Sequence, residues 1–310
     1  MICPRLHVSV RKFCQPLRAS LMHCRRGDSG LLQKSHRRSF ATWPKIYPKR
    51  IRVITCDITG TLVSFRGSLE QHYLGSAQSC GVDLSTCGQN GLSIQDAFKQ
   101  SYQECTRIYP CFGGQDVTAK EWWRKCVLRS FELAGIRLNE NQQDAVFQRI
   151  YSVFGSQKCY EKFDDAMPFL HWANRNHVVC GVLSNADERY GDSILPMLGF
   201  RYDDLQLQCF SKDIGYEKPS AQFFHRALQN AQTIIGNDDV DPLLPSQVLH
   251  IGNDYQKDFE GARRVGWHAI LLSRYNEPET AAEWKRRGAL VFEDLLDVVE
   301  VLGRSNCRLG

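Results

Sequence analysis

The sequence predicts an α/β fold: a parallel sheet whose first strand is followed by a long helical insertion. Three patterns carry that prediction. Short β-branched apolar runs recur along the chain, and each ends in a polar turn. Segments with apolar residues at helical spacing separate these runs, and strands alternating with helices mean a parallel sheet with right-handed crossovers. Right after the first run, however, Ser64 to Lys162 shows helical spacing with few strand signals.

The first strand lies in Ile51 to Leu62 and ends at Asp57, followed by a Thr-Gly-Thr turn. Gln95 to Ile108, Ala119 to Leu133 and Asn141 to Phe154 then read as helices. Gly135 can end the second of these, and Cys111-Phe112-Gly113-Gly114 separates the first two. The alternation resumes with a helix over Ala166 to Asn174 and a strand over Val178 to Leu183 that ends at Ser184-Asn185-Ala186. A helix from Tyr190 to Leu198 stops at Gly199, and a short strand covers Leu207 to Phe210. Pro219 reads as the first residue of a helix through Leu228, and Gly236-Asn237-Asp238-Asp239 as a turn. Val248 to Ile251 is a strand ending at Gly252-Asn253-Asp254, Phe259 to Val265 is helical, and His268 to Leu272 is the final strand. This gives a basic leader over 1–48, a core over 49–63 and 163–303, and a helical insertion over 64–162.

The net charge of +5 belongs to the leader. Residues 1–50 carry twelve Lys or Arg and one acid, Asp28, whereas the other 260 residues carry 27 bases and 33 acids. An Arg-rich, acid-poor, Ser-containing leader without a long apolar centre describes a mitochondrial transit peptide for the matrix. A basic tail on a cytoplasmic or nuclear protein is the alternative. No basic stripe with interleaved aromatics follows, so no nucleic-acid partner is expected. No run approaches the length of a membrane span. The thirteen cysteines are scattered without CxxC or zinc spacing and read as reduced thiols. Oligomeric state is not legible.

The candidate site is built from four loops at the carboxyl ends of strands, where open α/β sheets bind ligands. The first offers Asp57, Thr59, Gly60 and Thr61. A carboxylate fixed there can act as a nucleophile and form an acyl-phosphate, and Gly60 lets the backbone curl so that neighbouring N–H groups can hold an anion. The second offers Ser184 and Asn185 as hydrogen-bond donors to an oxyanion. The third offers Lys218 for developing negative charge. The fourth offers Asn253, Asp254 and Asp258, oxygen ligands for Mg²⁺. Together these are the parts of phosphoryl transfer.

With these residues in place, the chain resembles the haloacid dehalogenase (HAD) superfamily. Asp57-Ile58-Thr59-Gly60-Thr61-Leu62 matches its first motif, Ser184-Asn185 its second, Lys218-Pro219 its third, and Gly252-Asn253-Asp254-Tyr255-Gln256-Lys257-Asp258 its fourth, over roughly Lys49 to Leu302. The resemblance implies a Rossmann-like core with a helical cap that closes over the site and sets substrate choice. It implies a Mg²⁺-dependent phosphatase acting on a small phosphorylated metabolite through an aspartyl-phosphate. By that resemblance the catalytic set is Asp57, Thr59 and Lys218, and the phosphate set is Gly60, Thr61, Ser184 and Asn185. The metal set is Asp57, Thr59 through its carbonyl, Asn253, Asp254 and Asp258. Trp122 and Trp123 are expected in the packing of the cap.

Two departures bear on activity. HAD phosphatases carry a second aspartate two residues after the nucleophile, and here that place holds Thr59, whose hydroxyl does not titrate near neutrality. Loss of general acid–base help costs about 10²- to 10⁴-fold, so slow hydrolysis is expected. The fourth motif is shifted, so that either Asn253 or Asp254 faces the metal, with Asp258 supporting it or holding Lys218. A non-catalytic HAD-fold binding protein and a metal-independent dehalogenase-type hydrolase are the alternative readings.

Overall fold

The computed structural model describes residues 51–85, 91–236 and 241–304. The leader, with its expected targeting role, and most of the Gly236–Asp239 turn lie outside them. The chain enters through β1 (Val53–Cys56), buried on both faces as a central parallel strand must be. It continues into β2 (Val63–Phe65), then α1 (Leu69–Ser79), α2 (Ile94–Ile108), α3 (Ala119–Leu133) and α4 (Glu140–Val153), and returns through β3 (Tyr160–Lys162). After α5 (Ala166–Arg175) come β4 (Val179–Ser184), α6 (Leu195–Met197), β5 (Leu207–Phe210), α7 (Ser211–Ile214) and α8 (Ala221–Ile235). The last part is β6 (Val248–Gly252), α9 (Gly261–Arg264), β7 (His268–Leu272), α10 (Pro278–Arg286), β8 (Leu290–Phe292) and α11 (Leu295–Arg304).

The main sheet runs β5-β4-β1-β6-β7-β8, all parallel. Cys56 lies opposite Val182 on one side and Ile251 on the other, so Asp57, Ser184 and the residues after Gly252 emerge together at one edge. The chain moves from β1 to β4 and β5 on one flank, then crosses back to β6 on the other. This places the reversal of strand order at β1, the point where such sheets bind ligands.

The insertion is helical, and three of its helices open with a capping box, at Ser68/Gln71, Thr118/Glu121 and Asn139/Gln142. It has its own apolar cluster around Tyr73, Phe131 and Phe147, separate from the clusters on the two faces of the sheet. Its stalk was not foreseen. β2 and β3 pair antiparallel, Ser64 opposite Glu161, and join insertion to core as a two-stranded ribbon. Three residues are too few to show a strand period.

Other differences are local. β7 is not the last strand; β8 adds an edge beyond it, again only three residues long. Pro219 lies before the Ser220 N-cap of α8 rather than inside the helix. The helices expected from Tyr190 and Phe259 begin as π-helical turns, Tyr190–Ile194 and Tyr255–Glu260. All eight cysteines among the described residues are free thiols. No helix among them is long and apolar enough to cross a membrane.

Candidate active site

Asp57 stands one residue beyond β1, its N–H bonded to the Ile251 carbonyl at 2.8 Å. Its Oδ1 accepts from Ser184 Oγ at 3.0 Å and from Lys218 Nζ at 2.9 Å. Lys218 Nζ also donates to the Leu183 carbonyl at 2.7 Å and to Asp258 Oδ1 at 2.7 Å, with its side chain only 2% exposed. The first, second and third loops thus meet on one carboxylate. Burial alone would push the Lys218 ammonium down, but Asp258 and Asp57 hold it well above the usual lysine range.

Asp258 is saturated. Oδ1 takes Lys218 and His250 Nε2 (3.2 Å), while Oδ2 takes the backbone N–H groups of Asn253 and Asp254, both at 2.9 Å. Of the two roles expected for it, the geometry gives the brace: it fixes Lys218 and the fourth loop, with no oxygen turned to a metal. Gly252 makes room for this turn-back, since a Cβ there would lie 2.2 Å from Asp258 Cγ. His250 was missed. It sits inside an apolar strand, paired across the sheet with Thr55, whose Oγ1 lies 2.8 Å from His250 Nδ1. Two polar residues facing each other in buried strands are the signal that could have found them. Burial holds His250 below its ordinary pKa, so it is neutral, accepting from Thr55 and donating to Asp258. Burial raises the Asp258 carboxyl, but Lys218 and His250 outweigh it and hold it far below the usual carboxylate range.

Two predictions arise here. Lys218→Met leaves Asp57 and Asp258 facing each other without their cation. Breaking a buried ion pair costs about 3–5 kcal/mol, to be read as a lower urea midpoint; a variant as stable as the parent would contradict the brace. Stability also falls in two stages on acidification. His250 has a lowered folded pKa, so below about pH 6.5 the unfolded chain binds the proton first; Asp258 adds a second loss below about pH 4, because the unfolded carboxylate protonates while the folded one stays ionised. His250→Gln reduces the upper stage in urea titrations between about pH 4 and pH 8. An unchanged pH profile in that variant would refute the assignment.

The first loop corrects two expectations and the second loop one. The Gly60 N–H is spent on the Val63 carbonyl (2.7 Å) and the Thr61 N–H on the Ile58 carbonyl (3.2 Å), so neither cradles an anion. Thr61 is fully buried and does not reach the cavity; its carbonyl accepts from Arg274 at 3.0 Å. The N–H groups of Ile58 and Thr59, beside Asp57, are the ones in this loop left without a partner among the described residues. Gly60 matters for shape instead. Its φ is +84°, and a Cβ would fall 2.0 Å from Asn253 Nδ2, so the fourth loop lies directly across the first. Asn185 lines the cavity, but its amide is committed: Oδ1 accepts from Lys218 N at 2.7 Å and Nδ2 donates to Lys218 O at 2.9 Å, clamping the third loop.

Asn253 and Asp254 both line the cavity, and Asp254 Oδ1 additionally caps the next turn through Gln256 N (3.0 Å) and Lys257 N (2.9 Å). Thr59 lines it as well, with Oγ1 at 3.2 Å from the Tyr190 hydroxyl, a neighbour the sequence did not suggest.

The insertion closes over these groups. Asp187 holds Arg189 in a bidentate pair (3.0 and 2.9 Å) and accepts from Trp123 Nε1 of α3. The Arg189 guanidinium lies 4.3 Å from the Tyr151 ring centroid on α4. Lys212 donates to the Gly114 and Val117 carbonyls. Trp122 is cap core, as expected, with Nε1 on the Tyr109 carbonyl at 2.8 Å. Trp123 differs: it faces the core and lines a cavity of about 390 Å³ with Asp57, Ser184, Lys218 and Asn253 at its floor.

A parallel sheet whose strand ends converge on one carboxylate beneath an inserted helical lid defines the class: capped α/β proteins that work at the carboxyl edge of the sheet. A family model described as haloacid dehalogenase-like hydrolase matches residues 51–266, and the chain belongs to that family. It is 29% identical over 225 residues to haloacid dehalogenase-like hydrolase domain-containing protein 3 of Bos taurus, covering 72% of this chain and 82% of that one. Two solved structures share the fold. One is the HAD-hydrolase YfnB from Bacillus subtilis, described as bound to magnesium (14% identity, TM-score 0.54, covering 82% of this chain and all of that one). The other is L-2-haloacid dehalogenase from Xanthobacter autotrophicus (15% identity, TM-score 0.55, 83% of this chain and 99% of that one).

Proposed function

We propose that the protein is a Mg²⁺-dependent phosphatase that forms an aspartyl-phosphate on Asp57. One observation carries this reading. A carboxylate at the sheet edge has Oδ1 held by Ser184 and Lys218, so the group is fixed in place at the floor of a lidded cavity. Asp57 attacks phosphorus, Lys218 balances charge on the transferring group, and Ser184 orients the nucleophile. Hydrolysis of the acyl-phosphate by water then returns the free carboxylate.

The oxygen donors fit a loosely held Mg²⁺, which takes one or two carboxylates and completes its shell with water and phosphate. Asp57, the Thr59 carbonyl, Asn253 and Asp254 are the candidate ligands. Asp258 is excluded from the set by its four existing hydrogen bonds. No group of three acidic, His or Cys side chains shaped for a metal occurs among the described residues, so substrate oxygens and water would have to complete the shell. When bound, Mg²⁺ supplies charge neutralisation at the phosphoryl oxygens.

Thr59 beside Tyr190 gives no titrating carboxylate for the leaving group, so turnover is slow. The same residue supports the second reading, a ligand-binding protein on this fold. Release of phosphate from a panel of monoesters, with and without Mg²⁺, separates them: Mg²⁺-dependent release supports the phosphatase, and none with any ester contradicts it.

A further inference from the structure

The cavity above Asp57 is polar at its floor and aromatic elsewhere. Ten aromatic side chains line it, and only Tyr160 and Tyr190 among them belong to the segments following the insertion's helices. On the wall opposite the floor, Phe98 and Tyr102 of α2, Phe112 of the turn and Trp123 of α3 form one packed cluster. Phe112 and Trp123 ring centroids are 5.8 Å apart, Tyr102 and Trp123 6.2 Å, and Phe98 and Tyr102 5.9 Å. Rings held against each other this way make a rigid apolar surface whose faces and edges suit another ring.

Several polar groups on the core side of this wall are already committed, and the hydroxyls of Tyr73, Tyr102 and Tyr151 with the Lys99 ammonium are the other polar groups along it. Asp187 is spent on Arg189 and Trp123, the Tyr160 hydroxyl on the Phe154 carbonyl at 3.1 Å, and the Tyr190 hydroxyl on Thr59. Gln103 and Lys257 line the cavity yet are exposed, which places them at its mouth. A sugar brought into the cavity would set several hydroxyls against aromatic faces, and each one left unpaired costs about 1–3 kcal/mol. A cavity of about 390 Å³ also lies within the ordinary range for ring-bearing ligands and is roomy for a two- or three-carbon phosphate.

A second, independent observation concerns the leaving group. An aliphatic alcohol departing as alkoxide needs a proton in the transition state, and Thr59, which lines the cavity with Asp57, offers only a hydroxyl that does not titrate near neutrality. A phenol, with a pKa of about 10, departs as phenolate with far less help. Wall and floor therefore select the same chemistry.

We propose that the substrates are phosphate monoesters of aromatic hydroxyl compounds, seated with the ring against Phe98, Phe112 and Trp123 and the phosphate on Asp57. An Asp57 oxygen forms the bond to phosphorus as the phosphorus–oxygen bond to the phenol breaks. The phenolate leaves and takes a proton from water, and a second water hydrolyses the acyl-phosphate to inorganic phosphate and the free carboxylate. This inference rests on the phosphatase reading and deepens it.

The test measures kcat and KM with Mg²⁺ for 1-naphthyl phosphate, glucose 6-phosphate and acetyl phosphate. The third is a small acyl phosphate whose carboxylate departs even more easily than a phenolate, so it separates reactivity from recognition. Calorimetric binding of the same three to Asp57→Asn is measured alongside. The expected result is a KM and a Kd at least tenfold lower for naphthyl phosphate than for the other two. Phe98→Leu, which keeps an apolar side chain but removes the ring, raises the naphthyl KM several-fold, and Phe98→Ala raises it further. Equal KM and Kd across the three, with Mg²⁺-dependent turnover intact, overturns the substrate class and leaves the phosphatase standing. No turnover of any ester overturns both.

Discussion

Asp57→Asn brings Mg²⁺-dependent phosphate release down to the uncatalysed background. The amide is not a nucleophile toward phosphorus, and deleting the nucleophile of a covalent mechanism typically costs on the order of 10⁴- to 10⁶-fold in kcat. The substitution is nearly isosteric, and Ser184 still meets an oxygen acceptor at position 57. Lys218 keeps Asp258 and the Leu183 carbonyl as partners, so the loops that build the site keep their places. The variant therefore separates chemistry from folding: its urea midpoint stays close to the parent's while its turnover vanishes. Residual Mg²⁺-dependent turnover in Asp57→Asn within tenfold of the parent would mean that the reacting group lies elsewhere.

Thr59→Asp acts in the opposite direction. A carboxyl at this position lies in the cavity beside Asp57 and can give a proton to a departing alkoxide, then take one from the attacking water. General acid–base assistance contributes about 10²- to 10⁴-fold, so turnover of alkyl phosphates rises by at least the lower figure. Aryl phosphates gain less, because their leaving group needs the proton less. The Tyr190 hydroxyl, 3.2 Å from Thr59 Oγ1, is placed to donate to the new carboxylate and keep it aimed at the site. A variant that folds yet gains nothing on alkyl phosphates would show that proton transfer does not limit the reaction.

Much of this was legible because the chemistry sits at strand ends. β1, β4, β5, β6 and β7 are apolar runs that stop at polar turns, and their order alone brings Asp57, Ser184, Lys218 and Asp258 to one edge. The fate of individual hydrogen-bonding groups was not legible. Gly60 and Thr61 look like an anion cradle until their N–H groups are seen to close the loop on itself. The Asn185 amide looks free for a ligand until both of its ends are seen on the Lys218 backbone, 33 residues away. These are choices between partners of equal chemistry, and only distances in space decide them. The ribbon of β2 and β3 and the edge strand β8 escaped because three residues carry no period. Trp123 reads as packing with its neighbour Trp122, since nothing in a Trp-Trp pair tells which ring faces Asp187.

Phosphorylation of Asp57 is the step on which every other expectation depends. The most direct measurement is rapid acid quench of the full chain during turnover of a phosphate monoester with Mg²⁺, followed by peptide mass mapping. An added phosphoryl group is expected on the peptide containing Asp57, labile to hydroxylamine as an acyl-phosphate and absent from Asp57→Asn. The signal is expected to be stronger than in Thr59→Asp, where water clears the intermediate faster. Turnover with no phosphoryl group on that peptide at any quench time would contradict that step.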